Sequence, residues 1–217
     1  MKFGKVAICL TGSTANALEN HEKFRKFFSP IDGYCLFFHG WSDKTSVDES
    51  EILRTYAPLK WQFSMLGSYF SSRTDTCNAL YSVMIANEMK KQYEIQNDFR
   101  YDVVIKTDFS SNLYNDNYFP ISFIAPRTIY STNRYTKPYI VNFDHPTVDD
   151  TLYWGDSQSM DIATNLYRHY KFSCLDRDIK LQSGINEDPE DTYFERTALL
   201  YKRLITHNIA HEKVKLC

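Results

Sequence analysis

The stretch Tyr101-Asp102-Val103-Val104-Ile105-Lys106-Thr107-Asp108-Phe109-Ser110 decides how the rest of the chain reads. An acid leads into an apolar, β-branched run that ends abruptly on a second acid. Such a run, lacking polar alternation, is that of a strand covered on both faces. In open α/β sheets, ligands bind just beyond the carboxyl ends of these strands, which is where Asp108 falls. An acid delivered there by a rigid strand is suited to holding a divalent cation against a phosphate. The plainer alternative is a solvated turn aspartate at a strand end.

Working outward, strands and helices alternate. Val6 to Leu10 reads as a first strand, Thr11 to Asn16 as a turn, and Ala17 to Phe28 as a charged helix. Tyr34 to Phe38 forms a second strand closing on His39-Gly40-Trp41, then a short helix (Glu51 to Tyr56) and a third strand (Trp61 to Met65). Asn78 to Glu94 is the clearest helix, because Tyr81, Ile85, Met89 and Tyr93 recur at i+4 and build one apolar face. Asp75 or Thr76 is placed to cap its first turn. Beyond the Asp108 strand, Ser111 to Asn117 has turn composition, and four prolines between residues 118 and 150 disfavour helix. Thr128 to Ser131 and Tyr139 to Asn142 are short strands, followed by helices from Ser157 or Met160 to Tyr170 and from Glu195 to Ile205. The expectation is one α/β, Rossmann-like domain over residues 1–217, with a central, mainly parallel mixed sheet flanked by helices.

Bulk properties narrow the partners. A formal net charge of −2, with no basic run longer than Lys90-Lys91, argues against a nucleic-acid binder that works by neutralising phosphates. Tyr 16, Phe 15 and Trp 3 supply rings that fill a core or stack on sugar and base faces. Five cysteines without C-x-x-C spacing fit a reduced, cytoplasmic setting. No segment has the roughly 20 apolar residues of a membrane span, and the opening residues read as a strand rather than a signal peptide. The chain can equally be one domain of a longer polypeptide.

Neither a P-loop nor G-x-G-x-x-G occurs, and Gly 7 leaves little for a backbone phosphate cradle. Side chains and a metal must then hold any phosphate. Thr11-Gly12-Ser13 follows the first strand and would let a base or ribose approach the backbone. Arg73 and Lys106 are candidate pyrophosphate contacts, each with a surface-cation alternative. Asp150 and Asp156 flank a short apolar segment carrying Trp154, an arrangement in which an acid orients an acceptor hydroxyl beside an aromatic wall. For Asp156, a helix N-cap is the equal alternative. His207 and His211, four apart, are candidate metal ligands for at most one position. Asp176-Arg177-Asp178 matches D-x-D in letters but reads as an exposed loop.

Three stretches together resemble small GT-A-type glycosyltransferases, in particular those of large algal (chlorella) DNA viruses and related capsular or lipopolysaccharide enzymes. They are Asn78 through Tyr93-Glu94 to Thr107, Asp150 to Asp161 with its Trp154-Gly155-Asp156, and Pro189-Glu190 before a leucine-bearing helix. The resemblance implies a UDP-sugar donor, a glycan or glycoprotein acceptor, and Mn²⁺ or Mg²⁺ held by a D-x-D motif after a central strand. Asp108-Phe109-Ser110 occupies that place with serine for the second acid, so Ser110, water or a C-terminal histidine would complete the shell. Donor contacts are then expected from Thr11, Gly12, Ser13, Arg73, Asn78, Lys106 and Asp108, with UDP stabilising the fold and EDTA removing most of that effect. A silent nucleotide- or glycan-binding module and a nucleotidyltransferase are the rival classes.

Overall fold

The computed structural model describes residues 4–42, 48–65, 75–109, 118–120, 124–132, 151–168 and 199–214. Its elements run β1 (Val6–Ser13), α1 (Ala17–Phe28), β2 (Cys35–Ser42), α2 (Glu49–Tyr56), β3 (Lys60–Met65), α3 (Asp75–Gln96), β4 (Val103–Asp108), β5 (Thr128–Thr132), β6 (Tyr153–Gly155), α4 (Ser157–Ala163) and β7 (Ala210–Val214). The expected strand at Tyr139 to Asn142, the polar stretch from Ser111 to Asn117 and the Asp176 loop lie outside the described residues.

Seven strands form one sheet in the order β3-β2-β1-β4-β6-β5-β7. β1, β2, β3 and β4 are mutually parallel, β6 runs antiparallel to both β4 and β5, and β7 is parallel to β5. A mixed, mostly parallel sheet with helices on both faces is a Rossmann-like α/β architecture. The chain grows from β1 outward through β2 to β3, then crosses back to β4, so the strand order reverses between β1 and β4.

β1 is the centre of the core, with Ala7, Ile8, Cys9 and Leu10 fully buried. Its alternate residues serve two layers. Ile8 and Leu10 join Leu36, Phe38, Ile105 and Trp154 beneath α1 and α2, while Ala7 and Cys9 join Phe37, Val104 and Tyr153 beneath α3 and α4. α1 is a helix because Phe24, Phe27 and Phe28 fall at i, i+3 and i+4 and bury on one side. Phe27 packs edge-on against Phe28 and Phe119, and Phe24 packs edge-on against Tyr56 and tilted against Phe28. The Tyr56 hydroxyl donates to the Ala17 carbonyl at 2.7 Å and ties α2 to the start of α1.

Several expected boundaries shift. β1 continues through Thr11-Gly12-Ser13, and β2 through His39-Gly40-Trp41, because each pairs residue for residue with a neighbour as far as Ser13 and Trp41. Ladder bonds thus override a local composition that reads as turn. Gly40 is required at close quarters, since a Cβ there would lie 2.6 Å from the Thr14 methyl. Asp75 and Thr76 lie within α3, which begins at Asp75. α4 stops at Ala163, and the last helix covers 199–206 among the described residues. β6 and β7 are strands that composition did not announce.

Candidate functional site

The strand order reverses between β1 and β4, and their carboxyl ends are the position where open α/β sheets take ligands. Thr11 and Asp108 are paired there in register. The Thr11 hydroxyl donates to Asp108 Oδ1 at 2.9 Å, and Lys106 Nζ reaches the same oxygen at 2.8 Å. Lys106 and Asp108 lie two apart on β4, so strand alternation sets both on the α3 side of the sheet. Lys106 is only 3% exposed, whereas the Asp108 side chain keeps 26% of its surface open. The Tyr153 ring lies 5.8 Å from Lys106 Nζ.

The backbone after Asp108 is pinned. Phe109 N–H donates to the Thr11 carbonyl at 3.1 Å, the Phe109 carbonyl accepts from Asn20 Nδ2 at 3.0 Å, and the Phe109 ring is buried against Phe38. The acid is therefore aimed by a strand end anchored on both sides.

Next to it, Gly12 N–H donates to Ser82 Oγ at 3.3 Å, and Ser82 Oγ donates to the His39 carbonyl at 3.2 Å. His39 Nδ1 stands 2.7 Å from the same hydroxyl, and Nε2 stands 3.1 Å from Ser64 Oγ. This pattern closes with the ring proton on Nδ1 and Nε2 accepting from Ser64. Burial pushes the imidazole down to about 4, so it remains neutral. His39 is a strut that holds Gly12 against α3; composition gave no sign of it, since a lone histidine at a strand end carries no motif. Trp41 Nε1 donates to the Asn78 carbonyl at 3.2 Å, while the buried Asn78 Oδ1 finds no partner among the described residues. Ser13 ends β1 exposed, its hydroxyl accepting from Ala15 N–H at 3.3 Å.

Of the candidate residues, Thr11, Gly12, Ser13, Asn78, Lys106 and Asp108 thus share one edge of the sheet. Arg73, Ser110 and Asp150 lie outside the described residues. Asp156 belongs to the opposite edge. Because β6 is antiparallel, Gly155 pairs with Val104 near the start of β4, and Asp156 follows it. Its carboxylate accepts from Ser159 N–H (3.0 Å), Ser159 hydroxyl (2.6 Å) and Arg127 N–H (2.9 Å), which makes it the N-cap of α4. It therefore does not share an edge of the sheet with Asp108.

The histidines are likewise corrected. His207 lies at the same far edge, its carbonyl accepting from Arg127 Nη2 at 2.6 Å. His211 pairs in register with Ile129, Ile129 with Gly155, and Gly155 with Val104. That level is four residues before Asp108, about 13 Å along the strand at ~3.3 Å per residue. Its Nε2 is 2.9 Å from Ser131 Oγ, and burial, then Lys213, pushes the ring down to about 4.

These placements bear on the expected Mn²⁺ or Mg²⁺. No group of three or more His, Cys, Asp or Glu that could hold a metal ion occurs among the described residues. The Asp108 carboxylate is already paired with Lys106. Ser110, the expected second ligand, lies outside the described residues, so the metal remains what the resemblance implies.

A second polar cluster escaped the sequence. Lys90, fully buried, contacts Asp161 at 2.8 Å and Glu94 at 3.1 Å, and Arg100 contacts the same two acids at 2.7 and 3.3 Å. Ser157 hydroxyl and Tyr101 N–H donate to Glu94 Oε1 at 2.6 and 2.9 Å. The i, i+4 spacing of Lys90 and Glu94 was its only trace in the chain.

The architecture is that of an α/β protein with a polar cluster at the strand ends where the sheet order reverses. No protein-family model matches the chain, and no curated protein matches it either.

Proposed function

We propose that this protein is a glycosyltransferase of GT-A type that takes a nucleotide-sugar donor, a UDP-sugar, between β1 and β4 and passes the sugar to a glycan acceptor. The observation that carries the reading is the Thr11–Asp108–Lys106 cluster at the reversal of strand order. Gly12 lies beside it, with backbone φ +109° and no atom within 4 Å of where a side chain would start, so a ribose or base can approach the main chain there. Transfer breaks the bond between the anomeric carbon and the diphosphate, and negative charge grows on the departing phosphate. A fixed positive charge at that point lowers the barrier.

A thermal-shift panel of nucleoside diphosphates, followed by donor turnover, tests this. UDP should raise the melting temperature more than the purine diphosphates, and Asp108→Ala should abolish sugar transfer. Equal stabilisation by every nucleotide would count against the reading. The rival, a silent nucleotide- or glycan-binding module, is favoured by the removal of Asp156 to the far edge. Donor binding without turnover across a broad acceptor panel would establish it instead.

A further inference from the structure

Cys77 is one half of a disulfide, whereas Cys9 and Cys35 are free thiols. The chain holds five cysteines, so the other half is Cys174 or Cys217, both outside the described residues. Nothing in the cysteine spacing announces this bond. Cys77 is 1% exposed and belongs to the buried layer that Leu80, Ala86 and Tyr167 share beneath α3. The first turns of α3, which carry it, are a junction. The Asn78 carbonyl accepts from Trp41 Nε1, and Ser82 Oγ meets both the Gly12 N–H and the His39 ring. The Tyr81 ring lies 5.7 Å from that of Trp41 and 5.2 Å from that of Tyr167. A tie at Cys77 therefore fixes the helix end against which the carboxyl ends of β1 and β2 are held. Neither free thiol competes for it. Cys35 opens β2 at the opposite end of that strand from Trp41, out of the reach of a disulfide. Cys9 is wholly buried, and burial pushes its thiol up to about 12, so it offers no thiolate for exchange.

We propose that the Cys77 disulfide is a redox-sensitive clasp on the start of α3, closed under oxidising conditions and opened by dithiol reductants. Closure takes two electrons and two protons from a pair of thiols and passes them to a disulfide oxidant of the glutathione kind, which becomes two thiols. Opening runs the other way: a dithiol gives up two electrons and two protons and is itself left as a disulfide. Either partner closes a loop of roughly a hundred residues or more, a span over which a cross-link strongly restricts the unfolded chain. Because Cys77 is buried, the bond yields to a reductant only as the first turn of α3 opens. Reduction and loosening of that turn are then one event. The clasp stands independently of the donor reading.

The test takes the full chain produced in an oxidising compartment, the bacterial periplasm, and alkylates it in denaturant before and after reduction. Intact mass should show three modified cysteines before reduction and five after it. A peptide map without reductant should join Cys77 to Cys174 or Cys217. Dithiothreitol should lower the melting temperature by on the order of 10 °C, and should raise amide exchange from Cys77 to Ser82 more than in β4. Cys77→Ser should melt at the temperature of the reduced wild type and ignore the reductant, while Cys35→Ser keeps the full shift. Five modified cysteines before reduction, a link from Cys77 to Cys9 or Cys35, or a melting temperature indifferent to dithiothreitol would each overturn the proposal. The mass and the map use the wild type, so they decide the matter whether or not Cys77→Ser folds.

Discussion

Asp108 owes its direction to its neighbours: Thr11 across the ladder, Lys106 two residues back, and Phe109 clamped behind it. Asp156, equally conspicuous in the sequence, spends its oxygens on Ser159 and Arg127. The two acids therefore have separable roles that one experiment can tell apart. Asp156→Ala should lower stability by about 1–2 kcal/mol through loss of an N-cap, read by urea denaturation, and leave UDP affinity unchanged. Asp108→Asn should weaken UDP binding, and because it strips the carboxylate from the buried Lys106 ammonium it should also lower the unfolding midpoint. Equal loss of binding in both variants would contradict the two-edge arrangement.

Among the elements, α3 and α4 are joined by a buried set of charges that neither helix could hold alone. Glu94 is almost wholly buried and takes its compensation from Lys90, Arg100, Ser157 and the Tyr101 backbone. Lys90→Met would strip one cation from two buried acids, a change of the kind that costs about 3–5 kcal/mol, and the unfolding midpoint should fall accordingly. Desolvation alone would raise the Asp161 carboxyl, but Lys90, Arg100 and Asn87 outweigh it and hold that carboxyl below its ordinary value. A depressed folded-state value means stability that is present above the unfolded pKa and lost as pH falls through the folded one. Asp161→Asn should therefore flatten the acid limb of the stability curve below about pH 4. The elements themselves were legible where period and burial agree: α1 matches its expected span, and β4 was readable from its apolar run. β6 was not, because three residues are too few to show a period, and β7 was not, because its residues Ala210 to Val214 are mostly exposed at the sheet edge. Thr11, Gly12, Lys106 and Asp108 could be gathered from strand ends. His39 and Ser82 could not, since their meeting depends on how α3 lies across the sheet.

Across the whole molecule, one buried and one half-buried imidazole couple folding to pH. His39 and His211 sit at about 4 when folded, below the ordinary 6.5 that they regain on unfolding. Between those values the unfolded chain binds more protons, so stability falls as pH drops from about 6.5 towards 4. Thermal melting from pH 7.5 down to 4 should show that slope, and His39→Phe should reduce it at the expense of absolute stability. A flat profile would contradict the two neutral rings. The reversed strand β6 has a consequence of its own. With Trp154 stacked against Tyr130 on one side and Tyr153 facing Lys106 on the other, a slip of a single residue would exchange the two rings between layers. Damage to the cap beyond Gly155 would then be felt three residues away, at Tyr153, as a disturbed lysine: three residues of backbone act as the rod connecting the sheet's two edges.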